Sequence, residues 1–142
     1  MKKPFIILFC LLSLPVFVML SGCKTMQGAD SVTEYNNSPL TVPVPSGLSE
    51  QQVGDAMASV LRGREWNVIE SSPNRAVGTL DHRGFRARAI LERSGNTIRI
   101  LSDSTSKSLR TGEYEPAVPL GWLQNLQSDL RKKFQEKDYG SY

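Results

Sequence analysis

Four short segments with the composition of β-strands follow one another in the middle of the chain, and they constrain the fold more than any other feature. They are Trp66–Ser71, Arg75–Leu80, Phe85–Glu92 and Thr97–Asp103. The turns between them contain Pro73, Gly84 and Gly95, and each turn is short enough for a β-hairpin. Three consecutive hairpins predict a four-stranded antiparallel meander.

Pairing across the turns predicts which side chains share a face. With Ser94-Gly95 at the last turn, Leu91 lies opposite Ile98, and Leu80 pairs with Phe85 across the turn before it. The alternation of side chains along a strand then gives one mostly apolar face and one charged face, as expected for a sheet covered on one side. The charged face carries Arg86, Arg88 and Arg99.

Helical periodicity is found on both sides of these strands. Ser49 and Gln52 have the spacing of a capping box, and a regular apolar face continues to Gly63, where we expect the helix to end. A second apolar stripe starts after Leu120 and consists of Leu123, Leu126, Leu130 and Phe134. The sequence therefore predicts a two-layer α+β domain over residues 46–137, with the meander flanked by an N-terminal and a C-terminal helix on one face.

Three other segments have no strong periodicity. Residues 23–45 are polar and rich in proline towards their end, which predicts a flexible tether. Within it, Leu40–Val44 has the composition of a short edge strand, although Pro43 has no N–H to donate to a sheet. Residues 104–119 are predicted to be a long loop, and residues 138–142 a short tail.

Residues 1–22 have the pattern of a bacterial export signal. Lys2 and Lys3 are followed by the uncharged run Phe5–Leu20, which is short for a membrane-spanning helix. The run ends in Leu20-Ser21-Gly22-Cys23, which resembles the lipobox of bacterial lipoproteins. The resemblance implies cleavage between Gly22 and Cys23, diacylglycerol on the Cys23 sulfur, and acylation of the new amino terminus by a chain such as palmitate. A secreted protein or signal anchor with an incidental cysteine is the alternative.

The residue after Cys23 bears on the location. It is Lys24 and not aspartate, which by analogy with the sorting rule of enteric bacteria favours the outer membrane, with the protein facing the periplasm. Two or more acyl chains hold a protein stably at a membrane. This export signal argues against a nucleic-acid partner.

The charge and the metal-binding residues exclude several classes of protein. The chain has 17 basic and 14 acidic residues, and loss of Lys2 and Lys3 with the signal would leave it nearly neutral. One histidine and two cysteines are too few for a multi-ligand zinc site or a disulfide framework.

We find no motif of an enzyme in the sequence. The serines of residues 104–108 lack a glycine-flanked elbow, and no phosphate-binding loop or dinucleotide fingerprint is present. We therefore expect no catalytic residues, no metal and no cofactor. We interpret His82 as a solvated turn residue, and Trp66 and Trp122 as packing residues in preference to platforms for a sugar.

Basic residues are concentrated in the strand region. Eight of them and only three acids lie between Arg75 and Arg110. Besides a merely solvated sheet face, two interpretations remain open: a non-enzymatic assembly accessory that binds an envelope protein, or a binder of anionic glycolipid or cell-wall polymer. The candidate binding residues for both are Arg86, Arg88, Arg99, Lys107 and Arg110.

The chain resembles a group of small, largely uncharacterised proteobacterial lipoproteins over most of residues 48–134. The features shared with them, besides the lipobox, are Arg64 and Trp66, Asp103-Ser104-Thr105, and Trp122 with Leu126. The chain departs from their pattern in residues 106–110 and 117–119. The resemblance implies an α+β envelope lipoprotein and no particular activity.

Overall fold

The computed structural model describes residues 25–138, so the export signal, Gly22, Cys23 and the last four residues lie outside the described part. Within it the chain forms three α-helices and eight β-strands. In chain order they are β1 (Met26–Gln27), α1 (Ala29–Asn37), β2 (Leu40–Pro43), α2 (Glu50–Gly63), β3 (Asn67–Ser72), β4 (Arg75–His82), β5 (Phe85–Ser94), β6 (Thr97–Ser102), β7 (Thr105–Lys107), β8 (Tyr114–Val118) and α3 (Leu120–Asp138). All strand pairs are antiparallel. The predicted α+β class is confirmed, but the sheet has more strands than the four predicted.

The two predicted helices are α2 and α3. The capping box is present, since the Gln52 N–H donates to Ser49 Oγ over 3.1 Å and the Ser49 N–H donates to Gln52 Oε1 over 2.8 Å. Helix α2 ends at Gly63, as predicted. Apolar residues of both helices share one core with the sheet, and its fully buried members include Met57, Leu61, Leu91, Ile100, Leu123, Leu126 and Leu130.

A tight turn leads from α2 into β3. The Trp66 N–H donates to the Leu61 carbonyl and the Glu65 N–H donates to the Arg62 carbonyl, each over 3.0 Å, which is the pattern of a Schellman motif. Glu65 has a φ of 64°, a left-handed conformation that favours glycine. This turn brings Trp66 back over the core, where it is 4% exposed.

The predicted meander is β3–β6, but its last hairpin is offset by two residues. Ile100, and not Ile98, lies opposite Leu91. The reason is that Ser94 pairs with Thr97, so the two-residue turn is made by Gly95 and Asn96 and not by Ser94 and Gly95. A shift of two residues leaves each side chain on its predicted face, because side chains alternate with a period of two.

The hairpin between β4 and β5 differs from the prediction in the same way. Ala87, and not Phe85, lies opposite Leu80. The turn contains only Arg83 and Gly84, whose φ angles of 48° and 78° fit the type I′ turn that suits the twist of a hairpin.

The prediction of a flexible tether over residues 23–45 is wrong for residues 26–43, which form β1, α1 and β2. Tyr35 of α1 is 6% exposed and Val42 of β2 is 1% exposed, so this segment contributes to the core. β2 pairs only with β6, and an edge position of this kind tolerates Pro43. The short edge strand considered at Leu40–Val44 is therefore real.

The prediction of a long loop over residues 104–119 is also wrong. β7 continues the line of β6 along β5, with Ser106 opposite Phe85, and β8 folds back on β7, with Pro116 opposite Thr105. After Ile98 and Ile100 the buried face of β6 and β7 carries serines in place of apolar residues, which hides β7 from a hydrophobicity pattern. They are Ser102, Ser104 and Ser106.

The long strand formed by β6 and β7 has two different neighbours on its other side, so the sheet is forked. β2 pairs with β6, whereas β8 and then β1 extend from β7. Where the strand breaks, the Asp103 N–H donates to the Arg88 carbonyl and Ser104 Oγ accepts from the Arg88 N–H, both over 3.0 Å. Within the fork, the Asn36 side chain of α1 donates to the Ser102 carbonyl over 2.8 Å and accepts from the Ser102 N–H over 3.0 Å. Asn36 thus satisfies the backbone between the two branches.

Candidate functional site

The candidate arginines lie on the face of the sheet that points away from the helical core. We call this the outer face, and its members alternate with buried residues along β4–β7. They are Arg75, Val77, Thr79 and Asp81 of β4, Arg86, Arg88, Ile90 and Glu92 of β5, Arg99 and Leu101 of β6, Asp103, and Thr105 and Lys107 of β7.

An apolar strip crosses the centre of the outer face. Val77 lies opposite Ile90, and Ile90 lies opposite Leu101. Val77 is fully buried, although it is outside the main core, and the other two side chains are half-buried. The strip is therefore shielded at one end and partly accessible across the rest.

Two of the candidate arginines are held by contacts within the protein. Arg88 Nη1 lies 3.7 Å from Asp103 Oδ2, and the two side chains are 41% and 73% exposed. Arg88 Nε is buried and has no hydrogen-bond partner among residues 25–138. Arg99 Nη2 donates to the Asn36 carbonyl over 3.4 Å.

Arg86, Lys107 and Arg110 lie nearer the β7–β8 hairpin. The Arg86 guanidinium carbon is 3.9 Å from the centre of the Tyr114 ring, a cation–π geometry. Lys107 is on the outer face, whereas Arg110 lies in the turn between β7 and β8. Lys107 and Arg110 line a cavity of about 340 Å³ together with Leu109, whose side chain is fully exposed. The structure thus places four of the five candidates on the outer face and separates Arg110 from them.

The outer face is less cationic than the count along the chain indicates. Asp81, Glu92 and Asp103 lie on it, and Glu70 of β3 joins them opposite Val77. Arg75 Nε lies 3.1 Å from Glu70 Oε1, and Arg75 Nη1 lies 3.5 Å from Glu92 Oε1. Cations and carboxylates are therefore almost equal in number here, and several are already paired.

A second site, which we call the aromatic cavity, lies where α2 ends and α3 begins. The ring centres of Trp66 and Trp122 are 6.4 Å apart in an edge-to-face arrangement, and Phe85 and His82 lie 5.2 and 6.0 Å from Trp122. Three of these rings, those of Trp66, His82 and Trp122, border a cavity of about 210 Å³. Its lining consists of Arg64, Glu65, Trp66, Leu80, His82, Trp122 and Asn125.

An ion pair fixes the end of α2 beside α3 at the rim of this cavity. Arg64 Nε lies 2.6 Å from Asp129 Oδ2, and Arg64 Nη2 lies 3.1 Å from Asp129 Oδ1. The hydrogen bonds from Arg64 hold the pKa of the Asp129 carboxyl below its usual range, and those to Asp129 raise the pKa of Arg64. This two-pronged contact limits the positions that Arg64 can adopt.

These residues lie far apart in the sequence, and their types and spacing do not predict one site. The interpretation of Trp66 as a packing residue agrees with its burial, whereas Trp122 is half-buried and His82 is exposed at 6.0 Å from it. A usable signal was the alternation along the hairpin, since Leu80, His82 and Phe85 all belong to the helix-facing side of the sheet.

Metal-ligand groups, membrane-spanning helices and similarity to known proteins were also sought, and none of them indicates a function for the described residues. Among residues 25–138 no group of three or more histidine, cysteine, aspartate or glutamate side chains is arranged to hold a metal ion. No helix in that range is long and apolar enough to cross a membrane. The sequence matches no protein-family model and no curated protein, and the fold matches no solved structure.

Proposed function

We propose that this chain is a lipid-anchored lipoprotein of the bacterial outer membrane and a non-enzymatic assembly accessory that binds a periplasmic protein through its outer face. The lipobox-like sequence Leu20–Cys23 supports the anchor. In this proposal α2 and α3 form one layer and the central strands the other, which leaves the outer face free for the partner.

The observation that carries the proposal is the composition of the outer face. Ile90 and Leu101 form a partly accessible apolar centre beside the buried Val77, and rows of arginine and carboxylate border it. An apolar centre with a polar rim is the usual anatomy of a protein–protein interface, and arginine is enriched in such interfaces. Arg88 and Arg99 are already held by internal contacts, so ordering them on binding costs less conformational entropy.

The alternative partner, an anionic glycolipid or cell-wall polymer, is less well supported. Binding of a polyanion favours a surface with a clear excess of positive charge. On the outer face Glu70, Asp81, Glu92 and Asp103 nearly offset the basic residues. A protein surface with charges of both signs matches this pattern better.

The test is crosslinking in cells, followed by purification of the tagged full-length protein in detergent and mass spectrometry. We expect one dominant envelope protein with the unaltered chain. Ile90→Glu places a charge in the centre of the apolar strip and should abolish the complex. Ser128→Glu, at an exposed position of α3, is the matched control and should keep it. Cys23→Ser should release the protein from the membrane fraction.

Two results would contradict the proposal. Recovery of the same partner with Ile90→Glu, when a thermal melt shows that the variant is folded, would exclude the outer face as the interface. Recovery of anionic lipid or polymer without a protein, with binding that weakens steeply in salt and in Arg86→Glu, would favour the alternative partner.

A further inference from the structure

We propose that the aromatic cavity binds one ring of a neutral saccharide. This inference does not depend on the protein partner proposed above, because the cavity lies on the helix-facing side of the sheet and the outer face is on the other side.

The aromatic rings provide the apolar part of such a site. Trp66 is 4% exposed and forms the floor, whereas Trp122 is half-buried and stands edge-to-face with it at 6.4 Å. Phe85 and His82 also contact Trp122, with ring centres 5.2 and 6.0 Å from it. A sugar ring has a face of C–H groups that packs on an aromatic side chain, and a rigid cluster of rings loses little entropy on binding it.

The rim provides the polar part. The side chains of Glu65, His82 and Asn125 form no hydrogen bond or ion pair with other residues of the range 25–138. Together they offer both donors and acceptors, which is what a ring bearing several hydroxyl groups requires, because each hydroxyl can donate and accept. An aliphatic side chain of a protein partner would leave these polar groups without a hydrogen-bond partner.

The charges of the lining disfavour an anionic ligand. The Arg64 guanidinium is paired with Asp129 over 2.6 Å, and the Glu65 carboxylate lies next to it in the chain. Because Asp129 already neutralises Arg64, the unpaired Glu65 carboxylate leaves a net negative charge at the rim, which opposes an anionic ligand. The same carboxylate can accept hydrogen bonds from the hydroxyl groups of a neutral sugar, and the titration with an ammonium salt below tests a cation in its place.

The size of the cavity agrees with this ligand. Its volume of about 210 Å³ is smaller than the roughly 300–1,000 Å³ of pockets for drug-sized ligands, so it suits one ring of a larger chain. Glu65 keeps a left-handed backbone at φ 64°, where glycine would be less strained. The Schellman motif at the end of α2 accounts for this conformation, which sets the Glu65 side chain at the rim of the cavity.

The chain offers a direct readout, because its only two tryptophans both line the aromatic cavity. The full-length protein is purified in a detergent without a sugar headgroup and titrated with tetra-N-acetylchitotetraose and, separately, with maltotriose. We expect a saturable change in tryptophan emission with at least one of them, and matching heat in isothermal titration calorimetry. Tetramethylammonium chloride and N-acetyl-leucine amide should produce neither.

Variants locate the binding. Asn125→Ala, at an exposed position, should weaken the affinity by about tenfold through the loss of a hydrogen bond to the ligand. Gln124→Ala removes an amide from the neighbouring position outside the cavity and should leave the affinity unchanged. Trp122→Leu should abolish binding in calorimetry, and Ile90→Glu on the outer face should not affect it.

The proposal is overturned if neither saccharide produces a saturable signal up to its solubility limit. It is equally overturned if Asn125→Ala and Gln124→Ala bind with the affinity of the unaltered chain, or if the ammonium salt or the leucine amide saturates the site in place of the saccharides. None of these results depends on whether a protein partner is recovered through the outer face.

Discussion

The buried tyrosine of α1 gives a quantitative test of the N-terminal part of the fold. Tyr35 is 6% exposed, and its hydroxyl donates to the Ile100 carbonyl over 2.6 Å. Replacement by phenylalanine removes this bond and leaves a buried carbonyl with one partner fewer. We expect Tyr35→Phe to lower the free energy of unfolding by about 1–1.5 kcal/mol at neutral pH.

The same residue predicts how this difference changes with pH. Burial raises the pKa of Tyr35 from 10.0 to about 12, although a hydrogen bond with the Leu40 backbone opposes part of this effect. The contribution of the neutral phenol is therefore complete below pH 10 and is lost as the pH rises through 12. At about pH 11 most unfolded chains have an ionised Tyr35 and most folded chains do not, which costs the unaltered protein about 1.4 kcal/mol.

Urea unfolding followed by far-ultraviolet circular dichroism, on both proteins in the same detergent, measures the difference at each pH. We expect the advantage of the unaltered chain over Tyr35→Phe to shrink to almost nothing near pH 11. Lysines also titrate in this range, but they contribute equally to both proteins. A difference that stays constant from about pH 8 to 11 would refute the burial of Tyr35, and with it the inclusion of α1 in the core.

Three further substitutions test the packing. Gly54→Ala should cost about 1–3 kcal/mol of stability in spite of the better helix propensity of alanine, because the new Cβ would lie 2.6 Å from the Ser72 carbonyl oxygen. In the control Gly63→Ala the new Cβ meets nothing within 4 Å, so this variant should be neutral or stabilising. Equal melting temperatures for the two variants would contradict this. Leu126→Ala should cost about 2–5 kcal/mol, since Leu126 is fully buried, whereas a thermal melt of the exposed-site control Ser128→Ala should barely change. Glu65→Gly should stabilise the protein by about 1 kcal/mol in urea unfolding by relieving the left-handed backbone, and a loss of stability would show that the Glu65 side chain contributes more than its strain costs.

Periodicity predicted the faces of the central strands better than it predicted their pairing. Leu91 was correctly assigned to the buried face, but opposite Ile98 and not Ile100. A face depends only on parity, whereas the pairing depends on where a turn lies and on how many residues it contains. The turn at Arg83-Gly84 has two residues fewer than predicted, and the turn at Gly95-Asn96 lies one residue later than predicted. Both changes offset the pairing by two residues, which leaves the faces unchanged.

The segments taken for a tether and a loop were missed for a different reason. α1 is fixed by a few specific contacts, Tyr35 with Ile100 and Asn36 with Ser102, and these join residues more than sixty positions apart. β7 buries Ser104 and Ser106 in place of apolar side chains. Local composition does not indicate such long-range hydrogen bonds, so it predicts no regular structure for either segment.

The candidate sites show the same limit. Parity was enough to place Arg86, Arg88 and Arg99 on one face, but the carboxylate of Glu70 joins that face only through the pairing of β3 with β4. The aromatic cavity needs the end of α2, the start of α3 and one hairpin together. No single stretch of sequence contains it.

The position of β1 close to Cys23 limits how far the domain of an anchored molecule could lie from the membrane. Only two residues separate Cys23 from Met26, the first residue of β1, and three steps of the backbone reach at most roughly 11 Å. If Cys23 carries the lipid, this short connection keeps the domain close to the bilayer surface. The domain would stay beside the headgroups, so that a binding partner embedded in the same membrane meets it by lateral diffusion within one thin layer.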